Sequence, residues 1–246
     1  MSSESSTVEI PSAAAQFREG AIACLPTIAG YWSIGFAAGA IGTLSGFSMM
    51  QIALLAAALY AGSAQFLFYS LWAAGAEGIS VVLSILLVNL RYLLMSSSMS
   101  VFFREQTTRQ KVISGLLLTD ETFGVAVQRA AQQGKIPFAW MFGLNVTAWL
   151  NWIIACLVGA GFASALPPSL MAGLSFSLIS MFIGLILMTW FASRRKTLET
   201  VSILIAVAVT LVTTPHMDVS VVVIIAASIA AAIATLGLQL TRKEGN

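Results

Sequence analysis

The chain has 246 residues, of which 58% are hydrophobic and only 9% charged, against roughly 25% charged in an ordinary water-soluble domain. A net charge of +2 with no basic block excludes a nucleic-acid footprint. The apolar runs suit helices across about 30 Å of hydrocarbon and lack the alternation of a membrane barrel, so the predicted class is an all-α, polytopic membrane helix bundle.

Residues 1–20 are Ser-rich, carry Glu4, Glu9 and Glu19 against Arg18, and lack the apolar core of a signal peptide. They read as a solvated tail ahead of a single transmembrane domain over 21–240. Cys24 and Cys156 both lie in apolar stretches, where a buried, inert thiol is the expected state. The first span runs from Ala21 to Leu44. Its Gly35/Gly39 pair, followed by Gly42/Gly46, has the small-xxx-small spacing that lets another helix approach closely.

The second span, Met49 to Ala74, carries Tyr60-Ala61-Gly62-Ser63-Ala64-Gln65-Phe66 near its middle. Two readings stand open. Gly62 unwinds the helix and Ser63 caps a restarted half-helix, with its N–H groups aimed at an anion and Gln65 nearby, or the helix continues and Ser63 bonds back to its own backbone.

The third span, Ile79 to Phe103, contains Asn89-Leu90-Arg91-Tyr92. An arginine at mid-helix costs at least roughly 2.5–3.5 kcal/mol on insertion scales, so it requires a partner in protein or water. Ser84, Arg91 and Ser98 share one stripe, while Asn89 and Tyr92 share another.

Val112 to Gln128 is flanked by Arg104, Arg109 and Lys111 before it and by Arg129 and Lys135 after it, and is split by Thr119-Asp120-Glu121. Basic flanks on both sides put both ends in the cytoplasm, and two acids inside a short apolar run argue against a simple crossing. The expectation is a re-entrant or broken helical segment. Within it Ser114, Glu121 and Gln128 share a stripe and Asp120 points away, so Glu121 is the candidate proton or amine site and Asp120 a cap or an arginine partner.

The fourth span covers Ile136 to Ala165, with Asn145, Thr147, Trp149, Asn151 and Trp152; amides at this depth mostly join helices. Ser169 to Phe191 is the fifth, ending at Arg194-Arg195-Lys196, and Thr197 to Thr214 and Val219 to Leu240 are the sixth and seventh, ahead of a tail over 241–246. With the C-terminus and the basic segments in the cytoplasm, about seven crossings plus one re-entrant element leave the acidic N-terminus outside. Gln65 to Gly75 also lines up weakly with Asn151 to Gly161, a hint of an internal repeat.

The lone histidine, His216, lies in a turn, and no His-Glu-x-x-His, Gly-x-Ser-x-Gly or Cys-x-x-Cys motif is present. Neither an enzyme, a cofactor nor a metal site is indicated. One cation, two acids and uncharged polar groups at kinks suit a zwitterion, with Arg91 or a half-helix N-terminus for its carboxylate and an acid for its ammonium. A carrier of another small organic anion and a non-transporting assembly subunit are the alternatives.

Tyr60-Ala-Gly-Ser-Ala-Gln-Phe66, Asn89-Leu-Arg-Tyr-Leu-Leu94 and Leu118-Thr-Asp-Glu-Thr-Phe123, in this order, resemble the AzlC family, the large subunits of bacterial branched-chain amino-acid exporters. The resemblance implies export of leucine, isoleucine and valine, with methionine as a further substrate, across the cytoplasmic membrane. It also implies a small AzlD-like membrane subunit as partner. Carried over by position, the motif residues are Gln65, Asn89, Arg91, Asp120 and Glu121; with Ser63 from the half-helix reading they make up the candidate substrate-binding set. The family often has histidine after the arginine, where this chain has Tyr92; if that histidine carries protons, this chain either uses another group, Glu121 being the candidate, or is not proton-coupled in that way.

Overall fold

The computed structural model describes residues 11–165, 167, 176, 183, 184, 186, 187, 190, 191, 196–217, 222, 225, 226, 228–230 and 232–237. The fifth and seventh predicted spans lie largely outside these residues, and so do Arg194, Arg195 and the 241–246 tail. Among the described residues every regular element is a helix. Contacts divide the chain into two compact units, Met1–Leu178 and Ile179–Asn246. In the second, helix Lys196–Thr213 is long and apolar enough to cross a membrane, matching the sixth predicted span.

Among its described residues the first unit contains the α-helices α1 (Ala13–Ala23), α2 (Leu25–Leu44), α3 (Met49–Leu59), α4 (Gly62–Ala73), α5 (Gly78–Met99), α6 (Thr108–Leu116), α7 (Asp120–Gln133) and α8 (Phe138–Phe162). Helix starts earlier than the sequence suggests, because Ser12 caps Ala15 N–H and begins α1 inside the expected tail. Pro26 opens α2 after a break at Cys24, and the two helices are bent by 54°. A proline is tolerated in a first helical turn, where its missing N–H has no intrahelical acceptor in any case.

Helix α8 is the spine, and glycines decide what lies on it. A Cβ on Gly20 would stand 1.9 Å from the Trp140 carbonyl oxygen, and one on Gly143 would stand 2.1 Å from that of Phe17. The same reciprocal contact recurs further along, Gly39 against Cys156 O at 1.8 Å and Gly159 against Phe36 O at 2.0 Å. As numbering rises from Gly20 to Gly39 the contacts on α8 rise from Trp140 to Cys156, so α1 and α2 run parallel to α8 with their backbones in direct contact. The glycine face expected to receive another helix is therefore already filled by α8 of the same chain.

The second predicted span does not cross. A straight helix over residues 49–73 would hold its ends roughly 35 Å apart. Instead the Phe47 ring lies 5.5 Å from that of Phe68 and 5.6 Å from that of Trp72, and a Cβ on Gly42 would meet both Tyr69 and Ile52. The chain goes in along α3, turns at Tyr60-Ala61 and returns along α4.

The 112–128 segment behaves likewise, as the re-entrant expectation requires. Helices α6 and α7 span about 13 and 21 Å, too short to cross. Their outer ends meet where Gln106 Nε2 donates to Ile136 O at 2.9 Å and Lys135 faces Glu105 at 3.7 Å.

These two hairpins open toward opposite ends of α8. Met49, at the base of the first, is the neighbour of Gly161, and the second closes against Ile136. The order hairpin α3–α4, long helix α5, hairpin α6–α7, long helix α8 is thus one motif used twice in opposite orientation. That replaces the weak 65–75/151–161 match as the internal repeat. Pro11, Gln16 and Glu19 share a cavity with Arg129 and Lys135, so the N-terminal end of α1 lies on the face of the basic segments. A start of α1 on the face opposite those segments does not hold, because α3–α4 doubles back and removes one crossing from the expected count.

Leu83, Leu86, Leu90, Leu93 and Leu94 are all exposed along α5, a continuous apolar face suited to lipid. Gly39→Ala is expected to cost about 1–3 kcal/mol by forcing α2 off α8. Gly30→Ala, where an added Cβ meets nothing within 4 Å, should leave stability unchanged or slightly raised. Thermal unfolding of the purified variants in detergent checks this; equal loss in both would refute the glycine crossings.

Candidate functional site

The two hairpin tips come together beside the middle of α5, where Arg91 stands. On the first tip Tyr60 has φ 39° and ψ 44°, a left-handed conformation that costs a non-glycine residue roughly 1–2 kcal/mol. Ala61 then starts α4 without any side-chain cap. On the second tip Thr119 accepts from Thr122 N–H, and Thr122 Oγ1 accepts from Thr119 N–H at 2.9 Å, a box that closes the start of α7. Asp120 is therefore not the cap.

Both tips bind the guanidinium. Arg91 Nη2 lies 2.9 Å from Asp120 Oδ2, donates to Ser63 Oγ at 2.8 Å and to the Tyr92 hydroxyl at 2.9 Å. Arg91 also lies 4.8 Å over the Tyr92 ring. Ser63 serves as an acceptor for Arg91 rather than as a cap, and Tyr92 joins the arginine rather than Asn89. At 26% and 19% side-chain exposure, Arg91 and Asp120 are largely withdrawn from solvent, which makes each dependent on the other. Arg91 Nε is buried without an acceptor, and Asn89 Oδ1 is buried without a donor.

Glu121 occupies a second position on the same tip, beside Thr119 and Tyr31 and within electrostatic range of Tyr60 and Cys24. Tyr31 and Thr119 share a short hydroxyl–hydroxyl bond that ties α2 to the second tip. The Tyr60 hydroxyl lies next to Tyr31 but makes no hydrogen bond of normal geometry. Glu121 faces the hydroxyls of Thr119 and Tyr31, whereas Asp120 faces the cation.

Gln65 stands apart from this cluster. It is fully buried, donates to the Tyr69 hydroxyl at 2.9 Å and to Cys156 Sγ at 3.8 Å, and accepts from Trp152 Nε1 at 3.2 Å. These bonds fasten α4 to α8. Of the six predicted site residues, the structure brings Ser63, Arg91 and Asp120 into contact, keeps Glu121 adjacent, and leaves Asn89 and Gln65 outside. Ser98, expected on the arginine's stripe, bonds to Met95 O and faces outward. Asn145 donates to Ser114 O and Trp149 to Ala57 O, as helix-joining groups do.

Tyr31, Tyr60, Thr119 and Tyr92 belong to the site and were not legible as such in the sequence. Thr119 had a local signal, the Thr-x-x-Thr spacing around the two acids. Tyr31 lies 88 residues from Thr119 and had none.

The chain matches a protein-family model described as "AzlC protein" over residues 26–166. It is 27% identical over 200 residues to inner membrane protein YgaZ of Escherichia coli K12, covering 79% of this chain and 81% of the relative. An uncharacterized membrane protein of Archaeoglobus fulgidus is 27% identical over 178 residues, covering 72% and 77%. A membrane protein of Helicobacter pylori J99, also uncharacterized, is 30% identical over 131 residues, covering 53% and 57%. No solved structure matches. The matched region contains both hairpins and the whole Arg91 cluster.

Removing one partner of a withdrawn ion pair strands the other, at a cost of roughly 3–5 kcal/mol, whereas replacing both by apolar groups is often neutral. Asp120→Ala is therefore expected to lower thermal stability well below wild type, and Arg91→Met/Asp120→Leu to recover most of the loss. Melting the two variants side by side decides it; a double variant no more stable than Asp120→Ala would show that the pair does not hold the tips together.

Proposed function

The chain belongs to the AzlC family of membrane proteins, and from that premise we propose that it exports branched-chain amino acids by alternating access around the Arg91 cluster. The observation that carries this reading is a guanidinium held between the tips of two opposed hairpins. Each hairpin enters from one face and stops at the centre. Access from either side then depends on how one hairpin packs against its surroundings, as in other inverted-repeat carriers.

The charge balance favours an amino acid over a simple organic anion. Each half-helix N-terminus contributes about +0.5 charge, and with Arg91, Asp120 and Glu121 ionised the site is close to neutral. A zwitterion enters such a site without leaving excess charge in a low-dielectric interior, while a bare anion does not. The substrate carboxylate goes to the donor capacity left on Arg91, including the unpaired Nε, and to the uncapped N–H groups of α4. Its ammonium is received by Asp120 or Glu121. The apolar residues around the site, Ile34 and Trp152 near Gly62 among them, give a branched side chain a dry wall.

In this reading the chain is a transporter rather than an enzyme, works in the cytoplasmic membrane, and pairs with a small AzlD-like membrane subunit. Support for the partner comes from the family alone, since the glycine face of α2 is occupied internally. Glu121 is the group proposed to exchange protons, being the acid not committed to Arg91.

Cells lacking the gene and fed a leucine-containing dipeptide are expected to accumulate leucine. The wild-type gene together with its small partner should relieve this, and Arg91→Met/Asp120→Leu, which leaves no stranded charge, should not, although it is inserted at normal levels. Unchanged leucine pools on deletion would remove the export reading. Efflux from loaded vesicles should fall when the proton gradient is collapsed, and Glu121→Gln should abolish that dependence; gradient-independent efflux would rule out proton exchange.

A further inference from the structure

A cavity of about 700 Å³ lies away from the Arg91 cluster, on the face of the basic segments. Asp120 and Gln133 begin and end α7, roughly 20 Å apart, and the cavity sits at the Gln133 end. Its polar lining includes Glu19, Arg129, Gln106 and Gln133 together with the exposed Glu105–Lys135 pair, and its apolar wall includes Phe102 and Phe138. Its size is that of a small-molecule site.

The ion pair on its wall is unusual in how unevenly it is buried. Arg129 is only 11% exposed, stacked 4.5 Å over the Trp140 ring, and holds Glu19 with both terminal nitrogens. Glu19 is 51% exposed. The guanidinium is therefore fixed in place by the protein, whereas the carboxylate bound to it is open to solvent and to the cavity. Gln106 is nine-tenths buried and its Oε1 has no donor, and Arg129 Nε has no acceptor.

We infer that this cavity is a second amino-acid site, in which the ligand's α-carboxylate displaces the Glu19 carboxylate from Arg129 and the released Glu19 receives the ligand's ammonium. A ligand carboxylate presents the same two-oxygen fork as Glu19, so the exchange replaces one bidentate pair by another. Because Glu19 is on α1 and Arg129 on α7, occupancy also unfastens α1 from the second hairpin. The identity of the occupant as an amino acid rests on the export reading; the exchangeable carboxylate on a fixed arginine does not.

The test uses the full chain in nanodiscs with Gln133→Cys, alkylated by a charged maleimide. Gln133 is exposed, and the two natural cysteines are buried, so the new thiol dominates the signal. Leucine at ten times its dissociation constant is expected to slow alkylation about tenfold. Protection should persist with Arg91→Met/Asp120→Leu, which disables the central site, and vanish with Glu19→Gln/Arg129→Gln; each removes both charges of its pair and so leaves no stranded ion. The corresponding 2-oxo acid, lacking the ammonium, should protect less than leucine in the wild type and as well as leucine in Glu19→Gln.

Protection lost in Arg91→Met/Asp120→Leu but kept in Glu19→Gln/Arg129→Gln would overturn the inference, as would its absence throughout. Protection with this pattern in a chain that fails to export leucine would retain the cavity site and refute only the export reading.

Discussion

A guanidinium at the middle of a helix whose outer face is apolar imposes one constraint on everything around it: polar groups must reach it inside the bundle. Arg91 has no acceptor on its own helix other than the Tyr92 hydroxyl. The remaining acceptors are Ser63 and Asp120, each placed at mid-depth because a hairpin turns there. A continuous helix through either segment would have its backbone amides satisfied internally and no free end at that level. The breaks at Tyr60–Ala61 and Leu117–Thr119 are thus the structural counterpart of the charge, and the left-handed strain at Tyr60 is the local cost of the first of them.

Close packing of α1 and α2 on α8 makes room for this arrangement. At four glycines an added methyl would overlap backbone, which brings Tyr31 of α2 against Thr119 of the second tip and Trp152 of α8 against Gln65 of the first. The tips are positioned from the side as well as by Arg91. Gln65 appears in the same motif as Ser63, yet its bonds all serve the seat of α4, and it acts on the site through position rather than contact.

The all-α membrane class was legible because apolar length and low charge leave no other option. The Arg91–Asp120 pairing was legible for a similar reason, since an intramembrane cation needs an anion and the candidates were few. The turn direction at Tyr60 was not: an apolar stretch with a break in its middle has the same composition whether it continues or doubles back. The residue in the left-handed conformation is a tyrosine, so the usual glycine signal was missing. With that segment counted as a crossing, the start of α1 falls on the wrong face. The second hairpin was legible because basic residues on both flanks and two acids inside it conflict with a crossing. The spacing of Gly35 and Gly39 showed that some helix packs there but could not say which, and it was α8 of the same chain.

The central claim is that two hairpins enter from opposite faces and meet at Arg91, and the sidedness of their bases tests it most directly. Single cysteines at Ser48, Ala74, Thr107 and Gly134 would be labelled by a membrane-impermeant maleimide in right-side-out and inverted vesicles. Ser48 and Ala74 are expected to react from one side and Thr107 and Gly134 both from the other. Reaction of Ser48 and Ala74 from opposite sides would make α3–α4 a crossing and rule out the paired hairpins.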